Sequence, residues 1–509
     1  MNNSIFTNRE CGQTLPPNNI HAVSVSMPNL QDVIDYEEQT PEILEKIKSA
    51  YPRFVMHPYL RILAEHIKVK YQVPDYFEVV LLSSKKAVDV VAHKYYIYNK
   101  IPYFDQDMNK YINEPFGVIL VRKNSRQLKK VLQFIQHVGY NLSSRLAEDY
   151  LCNIGLLKDK QNEELYEDDD AKDEIIKTLA KAYEQPTQNI SLAPSGMNAV
   201  YSAIKGAKSI GAKNGRTIIV QLGWLYLDTM NIVDHYYERI KKFLDVNDLD
   251  ILEEYLNENG FQVSSIITEV PTNPLLACTD LPRLRSLCDK YNITLIIDST
   301  FATPFICDLK PYGDIFVESL TKFACGNADV LMGAIILNEN SKISSMSAEF
   351  FKHPDTPYIK DMQRLALEIK DYEKRMKKIS SNTKKLVEYL KASPMIKKIY
   401  SCQNEENKTN FLKIAKNSDD YVGVISVTFT KDFQKIYDEF RFCKGPSLGT
   451  EFTLLMPYTY LAHYDYLQTN KGREFLNKIG LPKDLLRISV GVENIEDIIN
   501  EFKRVEKLF

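Results

Sequence analysis

Tryptophan occurs once in the 509 residues and cysteine eight times. The cysteines (Cys11, Cys152, Cys278, Cys288, Cys307, Cys325, Cys402 and Cys443) form no CxxC pair and no zinc-ligand spacing. That pattern speaks against a disulfide framework and a structural metal, so reduced thiols and no bound metal are expected. Neither sign of charge is in surplus: 64 Lys+Arg face 67 Asp+Glu, for a net charge of -3. Sequence-independent nucleic-acid binding needs a basic surplus, and none is present. No apolar run approaches the roughly 20 residues that a bilayer demands; the Leu-Ile-Ile centre of Thr294–Asp298 is only strand-sized. The opening MNNSIFTNRECGQTLPPNN has neither a charged-then-apolar leader nor an Arg-rich amphipathic pattern, so no export signal is visible and a cytoplasmic location is expected. No internal repeat occurs, and no low-complexity tract beyond one acidic stretch.

Hydrophobic residues make up 44% and charged residues 26%, the balance of a soluble globular chain. At roughly 150 residues per domain the length suggests two to four domains. In an N-terminal α/β extension over 1–139, Phe77–Leu82 and Gly117–Val121 read as buried strands. Ser125–Val138 carries Leu128, Val131, Leu132, Ile135 and Val138 at helical spacing. Lys158–Glu174 is too densely charged to supply core and reads as an exposed connection or frayed helix. Within a large domain over 140–340, five strand candidates (Thr217–Gln221, Ser264–Thr268, Ile293–Ile297, Asp314–Glu318 and Ala334–Leu337) alternate with helical patterns such as Leu281–Tyr291. That alternation predicts an α/β domain with a mainly parallel sheet and ligands beyond the strands' carboxyl ends. Residues 341–509 combine helical patterns around Met362–Ala392 with strand runs at Tyr421–Thr430 and Leu486–Val490, predicting a C-terminal α+β lobe.

The chemistry-bearing residues follow those strands. After Ser264–Thr268 comes Glu269-Val270-Pro271-Thr272-Asn273-Pro274, whose two prolines stiffen a loop that presents Asn273. After Ile293–Ile297 comes Asp298, a carboxylate that burial makes costly without a cationic partner. After Asp314–Glu318 comes Ser319-Leu320-Thr321-Lys322, an amine behind two hydroxyls. Pro194-Ser195-Gly196-Met197 opens a helical pattern whose free N–H groups attract an anion. Pyridoxal 5'-phosphate (PLP) needs this set together: a lysine for its aldehyde, a carboxylate for its ring nitrogen and donors for its phosphate.

EVPTNP, DSTFATP and ESLTKFACGNADVLMGA together resemble the Cys/Met-metabolism family of PLP-dependent enzymes, which includes cystathionine γ-synthase. LPPNNIHAVSVSMPNLQDVIDYEE and YPRFVMHP look like the extended fungal-type members, so the resemblance spans the chain. It implies fold type I with a seven-stranded sheet, PLP as cofactor, and a homodimer or homotetramer with a site shared between subunits. It makes Lys322 the Schiff-base lysine, Asp298 the partner of the ring nitrogen, Asn273 a contact of the ring hydroxyl and Tyr226 the stacking, catalytic tyrosine. Gly196, Met197, Thr300, Ser319 and Thr321 would complete the cofactor contacts. Ser447 and Arg487 would take the substrate carboxylate, which a guanidinium matches bidentately.

Two departures stand out. Ser143-Ser144-Arg145 occupies the place read as the family's Tyr-x-Arg, which makes Arg145 the expected phosphate contact to a neighbouring subunit. Gly326-Asn327-Ala328 replaces a common Gly-His-Ser. The activity implied is γ-replacement on an O-acylated homoserine by cysteine, giving cystathionine for methionine biosynthesis. An acylhomoserine sulfhydrylase, a cystathionine γ- or β-lyase and a non-catalytic PLP-binding regulator are the alternatives. Small amino acids are the expected partners, with neither nucleic acid nor membrane.

Overall fold

Aliphatic and β-branched runs buried on both faces belong inside a parallel sheet covered by helices. In the computed structural model, which describes residues 9–47, 49, 51–99 and 114–509, six such runs and one exposed edge strand form one sheet. They are β1 (Ile190–Ala193), β2 (Ile218–Leu222), β3 (Ile240–Phe243), β4 (Val263–Glu269), β5 (Thr294–Asp298), β6 (Ile315–Ser319) and β7 (Gly333–Leu337). The spatial order is β1-β7-β6-β5-β4-β2-β3. Only β7 runs antiparallel to its neighbours. Glu269 lies opposite Asp298, and Asp298 opposite Val317, so β4, β5 and β6 end level and their loops open on one side. The likeness to fold type I expected from the sequence therefore holds, and the five expected strands are found within about one residue of their ranges. β1 and β3 were not anticipated: β1 is only four residues long, and the edge strand β3 exposes Lys241 and Lys242.

A second sheet of five strands (Ile396–Tyr400, Val424–Phe429, Leu486–Ser489, Leu454–Pro457 and Cys443–Lys444, in that order) forms the C-terminal part. The long helix Tyr372–Ala392 packs on the helix Ile495–Glu506. Residues before Gly139 do two separate things. Phe77–Leu82 and Gly117–Arg122 pair antiparallel, with the helix Arg126–Val138 capped by Ser125. The earlier stretch instead runs along the rest of the chain: Val23 N–H donates to Ala328 O at 2.7 Å, and Met27 N–H to Lys444 O at 2.8 Å. The charged run 158–174 is likewise split, since Glu163 pairs inward and the helix Ala171–Tyr183 begins before the run ends.

Candidate active site

At the end of β1, Ser195 caps the helix Gly196–Lys213 by accepting the Asn198 N–H at 3.1 Å. A Cβ on Gly196 would stand 2.6 Å from Ser319 Cβ, so only glycine lets this helix start so close to the end of β6. Ser319 N–H donates to Thr300 Oγ1 at 3.0 Å, and Thr300 N–H to Asp298 Oδ1 at 3.0 Å, which ties the ends of β5 and β6 together. Three residues on, Lys322 Nζ donates to Ser447 Oγ at 2.9 Å and lies 4.7 Å from the centre of the Tyr51 ring. Ser447 has φ +86, a left-handed conformation that strains a non-glycine residue and aims its hydroxyl at the amine. Gly449 makes this loop possible, because a Cβ there would lie 2.6 Å from Phe323 N.

Gly196, Asp298, Thr300, Ser319, Lys322, Ser447 and Tyr51 line one cavity of about 190 Å³. Within it, burial lowers the Lys322 pKa against the pull of Tyr51, and the positive Arg487 and Arg53 lower it further. Burial raises Asp298 against its Thr300 hydrogen bonds. Glu269 is pushed up to about 8 by burial and then by Asp298, while the N–H groups of Tyr226 and Asn273 oppose the rise. Glu318 is pushed up to about 7 by burial, although Tyr183 and Tyr372 donate to it at 2.5 and 2.6 Å. Arg487 is lowered to about 10 by burial. Its guanidinium donates to Asn273 Oδ1 at 3.1 Å and Ser447 O at 2.7 Å, and it pairs with no carboxylate among the described residues.

Of the residues expected at the site, Gly196, Met197, Tyr226, Asn273, Asp298, Thr300, Ser319, Lys322, Ser447 and Arg487 meet at this cavity. Thr321 is buried beside it but does not line it; its hydroxyl accepts the Met332 N–H at 3.1 Å. Arg145 lies elsewhere. Its buried guanidinium donates to both Glu163 oxygens at 2.8 and 2.7 Å, to Asp361 Oδ1 at 3.0 Å and to Asp329 O at 2.9 Å. With those acceptors it is fully engaged, and it borders a separate cavity with Ser143 and Ser144. Within its own chain Arg145 does not reach the Lys322 cavity; the expected contact was to a neighbouring subunit's phosphate.

In its place the structure brings Tyr51-Pro52-Arg53, a Tyr-x-Arg within the YPRFVMHP phrase, into the Lys322 cavity from the same chain. Arg53 donates to Asp228 Oδ2 at 2.5 Å, Gln136 O at 2.8 Å and the Tyr226 hydroxyl at 2.8 Å. The spacing of Tyr51 and Arg53 was the available signal; their distance along the chain from Lys322 hid it. Beyond Lys322, Cys325, Asp329 and Glu368 converge, and their carboxylates are already engaged, Asp329 and Glu368 by Arg364 and Glu368 also by Asn327.

The donor set fits PLP. Arg53 Nε is buried with no acceptor among the described residues, the position an anionic oxygen would satisfy. The helix start at Gly196 offers free N–H groups, Lys322 an amine and Asp298 a carboxylate for a ring nitrogen.

A family model for the Cys/Met metabolism PLP-dependent enzymes matches residues 172–505. The chain is 34% identical over 495 residues, 96% of both proteins, to an L-2-amino-4-chloropent-4-enoate dechlorinase/desaturase of Streptantibioticus cattleyicolor. It is 26% identical over 644 residues to the cystathionine gamma-synthase of Saccharomyces cerevisiae, covering 98% of this chain and 99% of that one. Among solved structures, cystathionine gamma-lyase from Lactobacillus plantarum complexed with L-serine superposes with a TM-score of 0.55 at 21% identity. That match covers 64% of this chain and 83% of the other, and speaks for the fold alone.

Proposed function

Because the chain belongs to the Cys/Met metabolism PLP-dependent enzymes, we propose that it transforms an L-amino acid carrying a leaving group on its γ-carbon, joining an O-acylated homoserine to cysteine to form cystathionine. The observation that carries this reading is Arg487, a buried guanidinium without a carboxylate partner among the described residues, in the cavity that the Lys322 amine lines. An isolated buried cation is costly, and the carboxylate of an amino-acid substrate relieves that cost.

The cofactor, when bound, supplies an electron sink next to the substrate nitrogen. Gly196, Met197, Ser319 and Arg53 would hold its phosphate, Tyr226 would stack on its ring and Asn273 would meet its hydroxyl. Asp298 would keep a proton on its ring nitrogen. Arg487 fixes the substrate carboxylate and so presents Cα and Cβ to Lys322 Nζ. The depressed basicity of Lys322 leaves part of the amine free to take a proton from each carbon in turn. The Ser447 hydroxyl, 2.9 Å away, orients that amine. Methionine biosynthesis, a cytoplasmic location and assembly as a dimer or tetramer belong to the same reading, and light scattering tests the assembly.

A second reading is elimination at the γ-carbon without a thiol. It is favoured by the full-length likeness to the dechlorinase/desaturase and by the apolar wall that Met27, Phe54, Leu227, Leu461 and Ala462 give the cavity. Mass spectrometry of products from O-acetylhomoserine with and without cysteine tests both. Cystathionine supports the first reading. A thiol-independent product, or chloride released from 2-amino-4-chloropent-4-enoate, supports the second.

A further inference from the structure

Of the carboxyl groups that line the cavity, Asp298, Glu269 and Glu318 each accept hydrogen bonds from neighbouring groups, and Glu37 stands apart from them. Glu37 ends the helix Leu30–Glu37, which packs on the helix Tyr458–Ala462. It lines the cavity together with Tyr36, Leu461 and Ala462. Its carboxyl has no hydrogen-bond or ion-pair partner among the described residues. Burial, and after it the charge of Asp465, pushes it up to about 8, and no cation acts on it. Of the other polar groups close by, the Tyr464 hydroxyl donates to Glu38 at 2.6 Å, and the Tyr36 phenol is raised by burial and then by the charge of Glu37.

The three cations of the lining are engaged by other groups. Arg53 is held by Asp228 and Tyr226, Arg487 by Asn273 and Ser447, and Lys322 by Ser447. A substrate whose carboxylate reaches Arg487 has its side chain left to face the apolar wall and Glu37. A second anion there would lose its hydration with no cation of the lining beside it to replace it. An uncharged ester or halogen loses little, and a carboxyl group can donate a hydrogen bond to it.

We propose that Glu37 is a specificity-determining residue that restricts the substituent on the substrate's γ-carbon to uncharged groups, such as an acetate ester or a halogen, and rejects succinate and phosphate esters. The inference rests on the functional reading above and narrows its substrate class.

The test uses two amino acids without a leaving group, L-norleucine and L-2-aminoadipate, whose side chains differ in terminal charge. Calorimetry on the PLP-loaded protein reads their binding independently of turnover. The expected result at pH 7 is at least tenfold tighter binding of norleucine. In the wild type that preference widens toward pH 9 as Glu37 ionises, and in Glu37→Gln it widens less, the remainder coming from Glu269, which lines the same cavity and is also pushed up to about 8. Glu37→Lys is expected to narrow or invert it. Equal binding of the two ligands, or a preference that neither variant changes, would overturn the proposal while leaving the functional reading intact. Failure of both ligands to bind would contradict the functional reading, and this inference with it.

Discussion

The amine of Lys322 lies 4.7 Å from the centre of the Tyr51 ring, which a segment from the far N-terminal part of the same chain carries into the cavity. Two residues on, Arg53 packs 5.2 Å from that ring and 5.8 Å from the Tyr226 ring, and forms a buried pair with Asp228. The N-terminal segment is therefore part of the site and more than an appendage to it.

Arg53→Ala is expected to remove the donor aimed at the cofactor phosphate and to leave Asp228 as an unpaired buried charge. The second effect costs about 3–5 kcal/mol. Thermal unfolding is expected to show that loss, and titration of the folded variant with PLP at least tenfold weaker binding. Unchanged PLP affinity would place the phosphate elsewhere.

Arg145→Ala provides the contrast. The residue is tied to Glu163 and Asp361 outside the Lys322 cavity, so the same titration is expected to give PLP affinity within threefold of wild type. Stability is expected to fall by about 3–5 kcal/mol, because two carboxylates lose their cation.

Arg487→Ala removes a charged hydrogen bond to the substrate carboxylate, worth about 1.5–3 kcal/mol. Steady-state kinetics are expected to show kcat/KM lower by about 10- to 150-fold, mainly through KM. A loss confined to kcat would assign Arg487 a different task.

Glu318 gives a pH signature. Its folded carboxyl keeps its proton up to about 7 against an ordinary value of 4.5. Between those values the folded protein binds more protons than the unfolded chain, so stability falls as pH rises through that window, by at most about 3 kcal/mol. Glu318→Gln lacks this dependence but disappoints one of the two tyrosine donors. Denaturant unfolding is expected to show the variant less stable at pH 5, with the gap closing by pH 8. A gap independent of pH would contradict the assignment.

Much of the site was legible because it follows buried strands whose composition announces them. Asp298, Ser319 and Lys322 sit at or just after the ends of apolar runs, and the parallel sheet forces those ends together. The partners of Arg145 could not be read from its motif, because only the fold brings Glu163 and Asp361 to it. Tyr51 and Arg53 were hidden for the complementary reason: their surroundings, Asp228, Tyr226 and Lys322, lie more than a hundred residues away in the chain. Glu37 carries no motif at all, and its place in the cavity depends on how the helix Leu30–Glu37 packs on the C-terminal part.

The central claim is that Lys322 is the amine that holds the cofactor. Borohydride reduction of the PLP-loaded protein, followed by intact-mass measurement and peptide mapping, tests it directly. The account predicts one pyridoxyl phosphate adduct per chain, on Lys322 and absent from Lys322→Ala. An adduct on another lysine, or none in the wild type, would contradict it.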